Sequence, residues 1–299
     1  MKIIVTGGAG FIGSHLVDRY IELGHEVVVI DNFSTGFQKN IHPKARVVEM
    51  DLSNAALEEL VVSEKPDLIN HHAAQINVRT SVDQPLFDLD INQRNTVRLL
   101  EAAKKAQVKK FIFASSGGTV YGETEHQPIP EPYSGTPLSP YGINKLASEH
   151  YLSFYSGQSG MRWTILRYAN VYGPRQNIYG EAGVIAIFLD RVKRGLPPII
   201  YGDGEQVRDY IHVEDIVSAN MMFSNIDSEV GVYNVGTGKG TTLNRLVAFI
   251  SEIIPEALPP VYEQERPGDL RWNILCVDKL RALGWQPLVN MKEGISKLI

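Results

Sequence analysis

The segment KIIVTGGAGFIG, residues 2–13, constrains the fold more than any other stretch: an apolar, β-branched run opens directly into closely spaced glycines. Gly7, Gly10 and Gly13 fall where a strand gives way to a helix. Bare backbone there permits a tight turn and lets the chain approach a pyrophosphate, which the N–H groups and dipole of the helix N-terminus then hold. The spacing is G-x-x-G-x-x-G rather than the G-x-G-x-x-G dehydrogenase fingerprint, and by itself it is also compatible with a purely structural turn. Asp31 closes the next apolar run, EVVVI, at the distance where a carboxylate binds adenosine ribose hydroxyls and repels a 2′-phosphate, favouring NAD over NADP. Asp51 and Leu52 follow the third run and suit an adenine contact, although an Asp at a strand end is equally a helix cap.

The rest of the chain extends this beginning. KIIVTG, EVVVID, RVVEMDL, DLINHHAA, KKFIFASS and WTILRY alternate with amphipathic stretches such as GSHLVDRYIELG and NTVRLLEAAKKA. Strand and helix patterns in alternation predict a parallel sheet with crossover helices, and near-continuous apolar runs predict strands covered on both faces. From about residue 170 the rhythm breaks into turn-rich segments, with helical patterns near 182–194, 213–224 and 242–253. A smaller mixed α/β domain is therefore expected over 171–299 after a nucleotide-binding domain over 1–170, with the segment 209–237 returning to the first.

Bulk properties narrow the function. A formal charge of −5 gives no clustered cationic footprint for nucleic acid. No run approaches the length of a membrane span, and the N-terminus is broken by glycines before a signal-peptide core could form. A single cysteine, Cys276, excludes an internal disulfide and points to a reducing, cytoplasmic setting. His71 and His72 lie at a strand end without acidic or cysteine partners, so no metal site is expected.

Tyr141 and Lys145 in SPYGINKLASE are four residues apart and share a helix face. A tyrosine acts as a base near neutrality only when positive charge favours its phenolate, and the lysine and an oxidised nicotinamide both supply it. Joined to TGGAGFIGSHL, DNFSTG, HHAAQ, SSGGTVYGE, LRYANVYGPRQ, GDGEQVRDYIHVEDI, YNVGTG and RPGDL, this pair makes the chain resemble the extended short-chain dehydrogenase/reductase family along nearly its whole length. Within that family it is most similar to the UDP-galactose (UDP-glucose) 4-epimerases.

The resemblance implies an α/β fold: a Rossmann-type doubly wound parallel sheet with tightly held NAD, and a smaller domain that grips a nucleotide diphosphate. By motif it assigns Gly7, Gly10, Phe11, Ile12 and Gly13 to the pyrophosphate. Asp31, Asn32, Ser34 and Gly36 fall to the adenosine ribose, and Asp51 and Leu52 to adenine. Ala73, Asn92, Ser115, Tyr141, Lys145 and Tyr168 fall to the nicotinamide half. On the substrate side Asn170, Arg208 and Arg266 meet the diphosphate, Asp269 the uridine ribose, and Asn273 the space beside the sugar C2. Asn273 is smaller than the Tyr that excludes N-acetyl sugars, so N-acetyl forms are expected to fit as well. A homodimer through the helices near 92–106 and 141–157 is also implied.

The implied reaction is NAD-dependent 4-epimerisation of a UDP-hexose through a transient 4-keto sugar, without metal, nucleic acid or membrane. UDP-glucuronate epimerisation or decarboxylation is the enzymatic alternative. A dehydratase fits less well, because Gly117-Gly118 stands where that pattern has an acidic pair; a non-catalytic NAD-binding sensor or scaffold is the alternative of another class. One departure matters. In SSGGTVYG the family's Ser or Thr position is Gly117, so another hydroxyl must stand beside Tyr141. On an extended chain Thr119 projects to the side of Gly117 and Ser116 to the other, which makes Thr119 the first choice and Ser116 the second.

Overall fold

The predicted apolar runs form strands, and except in the run Arg46–Glu49 most of their side chains are buried on both faces. The computed structural model describes residues 1–178, 183–265 and 270–299. In chain order the first strands are β1 (Lys2–Thr6), β2 (Glu26–Asp31), β3 (Arg46–Glu49), β4 (Leu68–His71), β5 (Lys110–Ser116) and β6 (Arg162–Tyr168). They are followed by β7 (Asn170–Tyr172), β8 (Ile199–Tyr201), β9 (Val207–His212) and β10 (Gly231–Val235). A seven-stranded sheet has the order β10-β6-β5-β4-β1-β2-β3, and each of its pairings is parallel.

The helices on this sheet include α1 (Phe11–Glu22), α2 (Leu57–Glu64), α3 (Val78–Asp83) and α4 (Pro85–Asp88). A π-helical segment, Leu89–Arg94, leads into α5 (Asn95–Lys105), and α6 (Pro140–Ser159) follows β5. Two apolar clusters fill the space between sheet and helices. One includes Ile3, Leu16 and Val29; the other includes Ile4, Val28, Leu99 and Phe111.

The chain runs outward from β1 to β3, then crosses back to place β4 on the other side of β1. That reversal opens a crevice at the strands' carboxyl ends, the usual ligand position in such sheets. Gly7 N–H donates to Ile30 O at 2.9 Å and His72 N–H to Thr6 O at 3.1 Å, so the turns after β1 and β4 meet at the mouth of the crevice.

The C-terminal part is built differently. β9 pairs with β7, with β11 (Gly240–Thr242) and with the two-residue strand β13 (Trp272–Asn273), while β12 (Val261–Glu263) pairs with β8. A third apolar cluster, including Phe188, Ile200 and Leu246, lies under α7 (Val184–Lys193) and the helix Leu243–Ile253. No helix among the described residues is long and apolar enough to cross a membrane.

Candidate active site

The crevice after β1 is shaped by backbone that side chains would obstruct. A Cβ on Gly7, at φ +69°, would lie 2.6 Å from Ala73 N, and one on Gly13 would lie 2.2 Å from Gly7 O. Gly10 is the N-cap of α1 and provides no side-chain cap, which leaves the first turn's N–H groups facing the crevice. Asp31 is buried at the end of β2. Its Oδ2 accepts from Ala9 N–H at 2.9 Å and its Oδ1 from Phe33 N–H at 2.8 Å, which fixes the carboxylate and leaves each oxygen a further lone pair. Asn32 Nδ2 donates to Asp51 at 2.6 Å, while Ser34 N–H donates to Asn32 Oδ1. Hydrogen bonding with Ser53 is the main influence holding the Asp51 carboxyl below its ordinary range. Gly36 packs against Ala9, and Leu52 is buried. This set fits a dinucleotide: crowded bare backbone at the turn, an uncapped helix start, and a fixed carboxylate one strand away.

On the other side of the crevice stands α6. Ser139 caps it by accepting from Gly142 N–H at 3.2 Å, and Pro140 opens its first turn. A Cβ on Gly142 would lie 2.7 Å from Thr119 O, so the helix can press its first turn onto the segment after β5. Tyr141 and Lys145 are both buried there. Lys145 Nζ donates to Ala114 O at 2.9 Å and lies 5.9 Å from the centre of the Tyr141 ring. Burial pushes its ammonium down to about 8, against the pull of Asp88 and Glu149.

Between α6 and β7 is a cavity of about 650 Å³ lined by Ser116, Thr119, Tyr141, Asn170, Arg208 and Tyr210, with α3 and Leu138 on its outer side. Thr119 Oγ1 and Asn170 Oδ1 are buried without a hydrogen-bond partner among the described residues. Unpaired buried oxygens are costly unless a ligand completes them. Arg208 adds positive charge to the same wall.

The segment after β5 is not extended. Thr119 N–H and Val120 N–H both donate back to Ser116 O, so residues 116–120 form a turn. The expected alternation of sides is therefore wrong, and both Ser116 and Thr119 reach the cavity. Gly117 has a separate reason to lack a side chain: a Cβ there would lie 2.5 Å from Leu275 Cδ1. Asn273 is buried, with its Nδ2 donating to Gly117 O at 3.1 Å, which turns it toward the backbone of this turn.

The remaining expected residues are spread through the surrounding polar network. Ser115 Oγ donates to Glu149, and Asn92 bonds Gln75 and Asp88. Tyr168 accepts from Asn220 Nδ2 at 2.8 Å, pairs with His72 Nε2 at 3.1 Å, and burial raises its phenol. Ala73 N–H donates to Thr6 Oγ1. Arg266 and Asp269 lie outside the described residues. His71 bonds Thr6 and Thr96, burial pushes His72 down to about 3, and no group of potential metal ligands occurs among the described residues.

Residues 3–236 match the model of the NAD dependent epimerase/dehydratase family. The chain belongs to this family. A curated relative in Methanocaldococcus jannaschii, a "putative UDP-glucose 4-epimerase", is 44% identical, over 99% of this chain and 97% of its own length. The solved UDP-glucose 4-epimerase of Thermotoga maritima, with UDP-glucose, superposes at a TM-score of 0.96 with 46% identity, covering 99% of this chain and 97% of its own. That of Thermus thermophilus, in complex with NAD, superposes at 0.94 with 42% identity over 99% and 97%.

Sequence reasoning missed the groups behind the tyrosine and lysine. Glu149 forms a buried pair with Arg167, 2.6 Å from its Nη2, and Arg167 Nη1 donates to Tyr121. Glu149 is one helical turn beyond Lys145, so an acid on the buried face of α6 is a usable signal. Arg167, in the apolar strand β6, declares its partner only once the sheet is assembled.

Proposed function

We propose that this member of the family is a UDP-hexose 4-epimerase that interconverts UDP-glucose and UDP-galactose. The observation that carries the reading is one cavity in which Tyr141 and an unpaired Thr119 hydroxyl face Asn170 and Arg208, with Lys145 buried behind the tyrosine. A bound NAD would supply reversible hydride chemistry at the sugar C4. Gly7, Gly10, Phe11, Ile12 and Gly13 hold its pyrophosphate, Asp31 its adenosine ribose, and the residues around Ala73 and Tyr168 its nicotinamide half.

Tyr141 takes the proton of the sugar 4-hydroxyl and later gives it back. The Lys145 ammonium favours the phenolate this requires, and Thr119 Oγ1 orients the hydroxyl, with Ser116 as its neighbour in the turn. Asn170 and Arg208, with Arg266 and Asp269 from the RPGD motif, secure the diphosphate and uridine. Charge placed on the phosphates anchors the substrate without gripping the hexose, which leaves the 4-keto sugar free to present its other face. Asn273 leaves the space beside C2 to the N-acetyl sugars.

The exposed apolar side chains Ile143 and Phe154 on α6 support a homodimer through this helix, as expected of a pair of helices packed across a two-fold axis. The single cysteine supports a cytoplasmic setting. The test is to incubate purified protein with UDP-glucose without added NAD and follow the anomeric proton signals, then denature it and assay released NAD. Appearance of UDP-galactose with stoichiometric NAD supports the reading; neither conversion nor released NAD contradicts it. UDP-N-acetylglucosamine in the same assay tests the space at Asn273.

A further inference from the structure

Asp88 ends α4 at the point where the backbone widens into the π-helical segment, a distortion that often marks a functional site. It is 0% exposed. Its Oδ1 accepts from Gln75 Nε2 at 2.7 Å and from Asn92 Nδ2 at 2.8 Å, and its Oδ2 accepts from Asn144 Nδ2 at 2.7 Å. The three donors come from the loop after β4, from the π segment and from α6. All three are neutral amides, and no Lys, Arg or His forms an ion pair with Asp88 among the described residues.

Lys145, next in the chain to Asn144, is the mirror case. Its Nζ bonds a backbone carbonyl and sits over the Phe113 ring at 4.8 Å, without a carboxylate at salt-bridge distance. Two buried charges of opposite sign thus stand on adjoining elements, each lacking a direct ionic partner. Burying either alone is expensive, whereas burying them as neighbours offsets much of the cost.

We infer that Asp88 is a positioning residue of the proton-transfer site: through Asn144 it fixes the N-terminal part of α6, and its charge keeps the Lys145 ammonium protonated beside Tyr141. Of the other titratable groups facing Lys145, Glu149, one turn along α6, adds a smaller pull and is paired directly with Arg167. His71 and His72, at the end of β4, are held neutral by burial, and Tyr141 on α6 is the group the ammonium serves. Burial pulls Lys145 down to about 8, and Asp88 is the foremost influence opposing it.

The inference rests on Tyr141 and Lys145 forming the proton-transfer pair, but its test reads Lys145 directly. Protein carrying its NAD and labelled with 13C at the lysine ε position is titrated by NMR, with the Lys145 signal assigned from its loss in Lys145→Arg. Asp88→Asn keeps the volume and removes the charge. It is expected to lower the Lys145 midpoint by about one pH unit, a tenfold change in the ratio of protonated to neutral lysine. The alkaline limb of kcat moves to lower pH by the same amount, with KM for the UDP-sugar little changed. Coincident midpoints in folded wild type and Asp88→Asn overturn the inference, whether or not the protein epimerises UDP-glucose. Asp88→Ser, neutral and small enough to admit water to the three amides, is titrated in the same way if Asp88→Asn does not fold. If neither neutral variant folds, Asp88 is a structural residue and the inference is wrong.

Discussion

At Gly117 backbone, not a hydroxyl, meets the second part of the molecule: Asn273 bonds its carbonyl and the Leu275 side chain occupies the place of a Cβ. Gly117→Ser is therefore expected to destabilise the fold by about 1–3 kcal/mol through overpacking, read as a lowered urea midpoint, and not to add a useful hydroxyl. The hydroxyl function falls to the neighbouring turn. Thr119→Ala should lower kcat more than Ser116→Ala, because Thr119 Oγ1 is the buried unpaired oxygen; the reverse order in steady-state assays contradicts the assignment. Tyr141→Phe should cost about 10²–10⁴-fold in kcat while NAD stays bound. The pH dependence follows from Lys145. Its charged form is the one that favours the Tyr141 phenolate, and burial lowers its loss of charge to about 8, so kcat should fall as pH rises through that value.

α6 shows what is legible along one element and what is not. The four-residue spacing of Tyr141 and Lys145 places them on one helix face, and the capping Ser139 and following Pro140 mark where the helix begins. The alternating strands and helices of the first sheet are equally plain, since strands covered on both faces must be apolar throughout. Residues 116–120 defeat the expected alternation of sides because it assumes an extended chain, and two backbone hydrogen bonds to Ser116 O fold them into a turn instead. The short helices α3 and α4 carry too few turns for periodicity to show, and β7, β11 and β13 are only two or three residues long. Arg167 cannot be paired with Glu149 until β6 lies beneath α6. Glu149→Gln leaves that arginine buried without its counter-charge and should cost about 3–5 kcal/mol in thermal or denaturant unfolding.

For the whole molecule, the topological reversal between β1 and β4 sets the dinucleotide crevice, and β7 and β9 bring Asn170, Arg208 and Tyr210 across it to close the sugar cavity. Neither half holds a complete site. The exposed Phe154 and Ile143 on α6 belong to the same scale: Phe154→Glu should shift the protein from dimer to monomer in analytical ultracentrifugation if this helix is the interface. In the proposed reaction C4 is oxidised and reduced again within one closed site, and the fate of its hydrogen decides between this and any route through solvent. UDP-glucose carrying deuterium at C4 is converted in ordinary water without added cofactor, and the UDP-galactose formed is examined by mass spectrometry and NMR. The deuterium is expected to remain at C4 with inverted configuration. Product with solvent hydrogen at C4, or no product at all, would contradict it.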